Sequence, residues 1–328
     1  MFIAVKLAGN ARNHFQRIDV EKALPVQLHT AEHAVIELFF YDIRIFALWL
    51  DLQHTARKKH HCHRRAGFRI NRIVGQVVVD YDLPNDTVYA ETCASVAMVF
   101  FARRMLEIQP KGEYADIIEK ELYNGVLSGM QLDGKRFFYV NPLEVVPGVS
   151  GELYGYEHVL PSRPAWYDCA CCPPNAARLF TSLGQYCWGE NEDTIFSHVY
   201  LGGTAEFSCA GGVSVACKSG YPWAGHIEYT LSPKTPAAFQ FAVHVPAWCR
   251  KWQVQVNGQA VQPALKDGYA YLAREWKDGD TVTLELEIKA RRVYANTRVR
   301  KDAGCVALVR GPIVSVYTGS LTVTQTDT

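Results

Sequence analysis

CCPPNAARLFTSLGQYCWGENEDTIFSHVYL, from Cys171 to Leu201, holds the point at which the periodicity of the chain changes. Its first half has helical spacing. Asn175 is placed to cap a helix over Ala176–Trp188 that turns Leu179, Phe180, Leu183 and Tyr186 inward. From Thr194 the apolar period falls to two, the mark of strands. Upstream, the 3.6-residue period predicts helices over Val88–Ile108, with Asn85, Asp86 or Thr87 as cap, and over Tyr114–Met130, with Ile117, Ile118, Leu122 and Val126 on one stripe. Arg136–Glu144 reads as a strand running into a turn. Downstream, nine strands are predicted: Thr194–Leu201, Ala205–Cys209, Val213–Lys218, His226–Leu231, Ala238–Val245, Gln253–Val256, Tyr269–Ala273, Thr281–Ile288 and Val306–Val309. Asn257-Gly258, Asp267-Gly268 and Asp278-Gly279-Asp280 supply turns between them. The fold class is α+β and multidomain, helices first and a β-sandwich after.

Composition narrows the class further. The 328 residues are 48% hydrophobic and 20% charged, which excludes a disordered or collagen-like chain. A net charge of +1 gives no global field for nucleic acid or acidic lipid, so neither is expected as a partner. No apolar run approaches the roughly 20 residues of a membrane span, and no secretory signal is visible, so a cytoplasmic location is expected. The charge is unevenly spread: residues 1–79 carry 12 Lys/Arg against 6 Asp/Glu, and residues 80–328 carry 22 against 27. That shift marks a boundary near residue 80. Before it, Ala31–Leu52 reads as an apolar helix and His54–Arg72 as a basic, histidine-rich run. The run contains His60, His61, Cys62 and His63, but consecutive side chains diverge, so it reads as a solvated basic segment rather than a metal cluster.

Two cysteine-bearing clusters carry the chemistry. Glu91-Thr92-Cys93 stands near the start of the first predicted helix, and Cys171-Cys172 just before the third. One carboxylate and three thiolates form a soft tetrahedral set that suits zinc (Zn2+). Residues i and i+2 of a regular helix point about 200° apart, so Glu91 and Cys93 share an ion only if the helix is irregular there. Spacing alone leaves shared ligation open against thiols without a partner. It also leaves open whether a thiol at the helix N-terminus is a nucleophile or an inert ligand. A redox role for Cys169, Cys171 and Cys172 is a weaker reading, because the thioredoxin-like βαβ pattern that usually accompanies such chemistry is missing.

Four separated motifs then resemble one family. Tyr81-Asp82-Leu83-Pro84-Asn85-Asp86 with Tyr89-Ala90-Glu91-Thr92-Cys93-Ala94, Phe138-Tyr139-Val140-Asn141-Pro142-Leu143, Cys171–Leu179, and Val306–Pro312 are similar, in that order, to glycoside hydrolase family 127, the β-L-arabinofuranosidases. The resemblance covers about residues 80–312. It implies a partial (α/α)6 toroid over 80–193 followed by a β-sandwich over 194–328. It further implies zinc held by Glu91, Cys93, Cys171 and Cys172, with Cys171 as the nucleophile of a retaining hydrolase. Tyr139 becomes a sugar-contacting residue, although on its own it reads equally as a strand aromatic. The implied partner is an arabinofuranosyl oligosaccharide or glycoconjugate.

The resemblance also defines a departure. The family's general acid/base is a glutamate sixteen residues before the zinc glutamate, and that position holds Gly75. With residues 1–79 unlike the family, the expectation is a truncated or frame-disrupted copy whose first segment is foreign. The competing expectation is a non-catalytic zinc-binding remnant with a carbohydrate-binding-like β part. Helices lacking their toroid partners would expose apolar faces, so self-association is expected.

Overall fold

A computed structural model describes residues 5–6, 85, 90–146, 158–168 and 170–315. The readings of Ala31–Leu52, of the histidine-rich run and of Gly75 fall outside these residues. The helical part comprises α1 (Thr92–Ile108), α2 (Gly112–Lys120), α3 (Cys172–Thr181) and the short α4 (Gly184–Cys187). Val96, Val99, Ala102 and Leu106 of α1 pack with Ile118, Leu122, Val126, Leu179 and Tyr186 in one apolar cluster. Among the described residues, no helix is long and apolar enough to cross a membrane.

Three helical boundaries differ from the sequence reading, each for a local reason. First, α1 begins at Thr92 rather than Val88, because Ala90 and Glu91 are pinned to the chain around residue 140. Asn141 N donates to Ala90 O (2.8 Å), Thr92 N donates to Tyr139 O (2.9 Å), and Glu91 bridges Val140. The same contacts reduce the expected strand Arg136–Glu144 to isolated bridges at Phe137 and Val140. Second, α2 does not run regularly to Met130. It passes into a π-turn at Glu121–Val126 and a 3-10 turn at Leu127–Gly129. Asn124 Nδ2 donates to Lys120 O (2.9 Å), and Ser128 Oγ donates back to Asn124 O and Gly125 O. Such side-chain bonds to backbone carbonyls loosen regular turns. Third, α3 starts at Cys172 with Cys171 as its N-cap, so Asn175 lies inside the first turn instead of capping it. Pro173 and Pro174 are tolerated there because first-turn N–H groups lack helical acceptors anyway.

The β-rich part is built on two sheets. One runs Ala264–Lys266, Tyr269–Trp276, Ala237–His244, Thr194–Ser197, Trp188–Glu190; the other runs Gly203–Phe207, Val213–Ser219, His226–Pro233, Asp280–Leu286, Trp252–Val256, Gln259–Val261. Ile195, Phe241, Val243, Leu272 and Trp276 of the first meet Val215, Ile227, Tyr229, Val254 and Leu284 of the second in one core. Two tight hairpins fix the register. At Asn257-Gly258 and Asp267-Gly268 both central residues have positive φ, and the flanking pairs are Val256↔Gln259 and Lys266↔Tyr269.

The expected strand at Val306–Val309 is present but belongs elsewhere. Cys305–Arg310 pairs with Ala290–Val293, Ile313–Ser315 and Val5–Lys6 in a separate small sheet. Asn124 ties that sheet to the helices, donating to Pro312 O (2.8 Å) and accepting from Val314 N (2.9 Å).

A polar seam joins the helices to the first large sheet. Gly112 N donates to Asp267 O (2.6 Å), and Ala247 N donates to Asp116 Oδ1 (3.1 Å). His244 Nε2 lies 3.3 Å from Asp116 Oδ1. Glu119, 2% exposed, accepts from Trp248 Nε1 (2.9 Å) and from the Tyr221 hydroxyl.

Candidate metal centre

The start of α1 explains how Glu91 and Cys93 come to face one point. Glu91 is extended (φ −67°, ψ 133°) and Cys93 is already helical, so the 200° divergence of a regular helix does not apply to this pair. The 137–141 segment holds this geometry. Thr92 Oγ1 donates to Phe138 O (3.0 Å) and accepts from Asn141 Nδ2 (2.7 Å), while Tyr167 Oη accepts from Tyr139 N (3.1 Å). Across from it, the N-cap of α3 presents Cys171 and Cys172.

One ligand atom each from Glu91, Cys93, Cys171 and Cys172 lies within 4.8 Å of every other. Cys93 Sγ is 3.4 Å from Cys172 Sγ, Cys171 Sγ is 3.8 Å from Cys172 Sγ, and Cys171 Sγ is 3.1 Å from Glu91 Oε1. Ligands at about 2.0–2.3 Å from one ion, tetrahedrally arranged, stand about 3.3–3.8 Å apart. The donor set therefore fits a tetrahedral, thiolate-preferring ion. Electrostatics points the same way, since four ionised groups this close need a cation to coexist. Without one, hydrogen bonds from Cys171 and Cys172 hold the Cys93 thiol well below its ordinary value, and the hydrogen bonds of Cys172 with Cys171 and Cys93, then burial, push Cys172 up.

The two adjacent cysteines are not equivalent. Cys172 is buried (1% exposed), with its sulfur 3.6 Å from Tyr139 O. Cys171 is half-buried, and its sulfur lies 3.4 Å from the Tyr139 hydroxyl. Burial, then the Glu91 carboxylate, raises Tyr139 far above an ordinary phenol, so it stays protonated beside Cys171. Tyr139 also belongs to an aromatic wall. Its ring centroid is 4.3 Å from that of His158 and 5.6 Å from that of Tyr167, and Trp166 beside them is exposed.

The structure thus brings together Glu91, Cys93, Cys171, Cys172 and Tyr139. Gly75 and Cys169 lie outside the described residues. The described cysteines are all free thiols, and those of the cluster face Glu91, Tyr139 and one another. Two participants escaped the sequence reading. His158 gave no signal, being a lone histidine in a proline-bearing loop. Asn175 was read as a helix cap, yet its Nδ2 donates to Cys93 Sγ (3.1 Å).

Comparison with known proteins supplies the class, that of the glycoside hydrolases. Residues 76–185 match the family described as β-L-arabinofuranosidase, GH127 catalytic domain, and residues 194–288 match its middle domain. A non-reducing end β-L-arabinofuranosidase from Bifidobacterium longum subsp. longum is 47% identical over 242 residues, covering 72% of this chain and 36% of its own. Among solved structures, a GH127 β-L-arabinofuranosidase from Geobacillus stearothermophilus T6 superposes with a TM-score of 0.68 at 48% identity, covering 72% of this chain and 38% of its own. A GH127 β-arabinofuranosidase gives 0.65 at 35% identity, covering 72% and 38%. The chain belongs to glycoside hydrolase family 127. It spans just over a third of the length of these relatives.

Proposed function

We propose that this cluster is the centre of a retaining β-L-arabinofuranosidase, with Cys171 as nucleophile and zinc held by Glu91, Cys93, Cys171 and Cys172. The helices are the corresponding part of an (α/α)6 toroid, and the substrate is an arabinofuranosyl oligosaccharide or glycoconjugate. The observation that carries the reading is the inequivalence of the paired cysteines: Cys171 faces the Tyr139 hydroxyl and the aromatic wall, whereas Cys172 is enclosed. When bound, zinc would neutralise the clustered charge and keep the thiols deprotonated near neutral pH. The Cys171 thiolate attacks the anomeric carbon, forming a C–S bond as the glycosidic C–O bond breaks, and the leaving oxygen takes a proton from solvent. Water later adds its oxygen to the anomeric carbon and gives its proton back to solvent as the C–S bond breaks, releasing the sugar with retention and restoring the thiolate. Tyr139, kept protonated, donates toward the sulfur and orients it between the two steps.

Gly75 at the family's acid position favours a second reading, in which the centre binds metal without turnover. An activated aryl β-L-arabinofuranoside separates the two, because a good leaving group needs little protonation. Intact-mass spectrometry should then show one added pentosyl group, absent in Cys171→Ser. Zinc bound with no adduct would establish the remnant, and an adduct that persists in Cys171→Ser would remove Cys171 from the mechanism. Turnover of an unactivated disaccharide would show that another group supplies the proton.

A further inference from the structure

Asn175 touches both cysteine-bearing elements. Its backbone N–H donates to Cys171 O (3.1 Å), closing the first turn of α3 on the N-cap. Its side-chain Nδ2 donates to Cys93 Sγ (3.1 Å), 82 positions away in the chain. A thiolate only accepts hydrogen bonds, so the amide nitrogen, not the oxygen, has to face it. Positions three and four residues beyond Cys172 and Cys171 fall on the same helix face, which is why this side chain reaches the cluster. The amide meets Cys93, while the Cys171 sulfur faces Glu91 and Tyr139 instead.

We propose that Asn175 is a positioning residue of the centre: its amide N–H···S bond fixes the Cys93 sulfur as a permanent ligand. The proposal rests on the reading of the cluster as a metal centre. An N–H donor withdraws charge from a thiolate and locks its orientation. Partners of this kind commonly change metal affinity by about 10–100-fold when removed. An aspartate at this position would keep the shape but aim a carboxylate oxygen at the sulfur.

The test loads the full chain with Co2+ and compares it with Asn175→Asp and Asn175→Leu, using chelator competition and the thiolate-to-cobalt charge-transfer bands. Both variants should bind Co2+ about 10–100-fold more weakly, with bands moved to lower energy as the sulfur regains electron density. Folded variants that keep wild-type affinity and band positions would overturn the proposal alone. A wild-type chain that binds no Co2+ would overturn the metal reading and the proposal together. Should the variants not fold, the unaltered chain loaded with 113Cd decides. A scalar coupling between the metal and the Asn175 side-chain amide proton supports the bond, and a resolved Cd resonance without that coupling refutes it.

Discussion

Glu119 places a carboxyl group inside the seam between α2 and the β-rich part, and its neutralisation should be visible in stability. Burial raises it from an ordinary 4.5 to about 7, against the lowering effects of His244, of the Tyr221 hydroxyl and of the Trp248 N–H. Asp116 faces the same space from α2, Tyr200, Tyr221 and His198 from the β-rich part, and Tyr123 from the π-turn. An acid whose folded value lies above its unfolded one binds its proton more tightly in the native state. Stability from this group is therefore present at low pH and lost as pH rises from about 4.5 to about 7. At about 1.36 kcal/mol per pH unit, the loss between pH 5 and pH 8 is about 2–3 kcal/mol.

Glu119→Gln keeps the shape and cannot ionise. Its amide oxygen can accept from Trp248 Nε1, while its NH2 donates to Tyr221 Oη, whose hydroxyl turns from donor to acceptor. The stability of the variant relative to the parent should accordingly grow by about 2–3 kcal/mol from pH 5 to pH 8. Two histidines titrate in the same seam, so the comparison has to be a difference. His198, lowered to about 3 by burial and by His244, favours the native state as pH rises through the acid range. His244 is pushed down by burial but raised on balance, chiefly by Asp116, so its contribution fades as pH rises past its folded value. Both are present in parent and variant. The residual effect of Glu119 on His244 has the same sign as the main one. Equilibrium urea denaturation, followed by tryptophan fluorescence in excess chelator to remove metal linkage, supplies the curves. Parallel stability–pH profiles would refute the buried neutral acid. A variant that loses ground as pH rises would show instead an ionised Glu119 paired with His244.

Three further outcomes follow from the geometry. The purified chain should hold about one zinc, and Cys172→Ser should lose most of it by metal analysis, while Cys187→Ser, altering a buried thiol outside the cluster, should not. Tyr139→Phe should leave zinc content unchanged but slow formation of the Cys171 adduct on the order of 10²-fold, as expected when the attacking sulfur loses the contact that orients it. Gly268→Ala should cost about 2–4 kcal/mol in urea denaturation, because φ is +80° and the new Cβ would lie 2.8 Å from Gly112 Cα. Gly258→Ala, at φ +75° with open space around it, should cost only the backbone share of about 1–2 kcal/mol.

What the sequence made legible follows from what each residue buries. The nine strands expected from Thr194 onward are present, most of them alternating as Val213–Ser219, His226–Pro233 and Asp280–Leu286 do, and Asn257-Gly258 and Asp267-Gly268 announce turns that demand positive φ. The strands that went unseen at the margins of the two large sheets, Trp188–Glu190, Gln259–Val261 and Ala264–Lys266, are three-residue edges without a fully buried position, too short for a period to form. Asp116 and Glu119 look like solvent-facing charges on an amphipathic helix. Only the arrival of His244, Tyr221 and Trp248 from more than a hundred residues downstream turns them into a buried seam. The candidate metal centre was half legible for a comparable reason. Residue types named the candidate ligands, but helical geometry argued against Glu91 and Cys93 meeting. That objection dissolves only because Tyr139 and Asn141 hold Ala90 and Glu91 extended and delay the helix to Thr92. The correction reaches Asn175 as well. Once Cys171 takes the N-cap, Asn175 moves one turn inward, and the amide that would have capped a backbone N–H is released to face a sulfur.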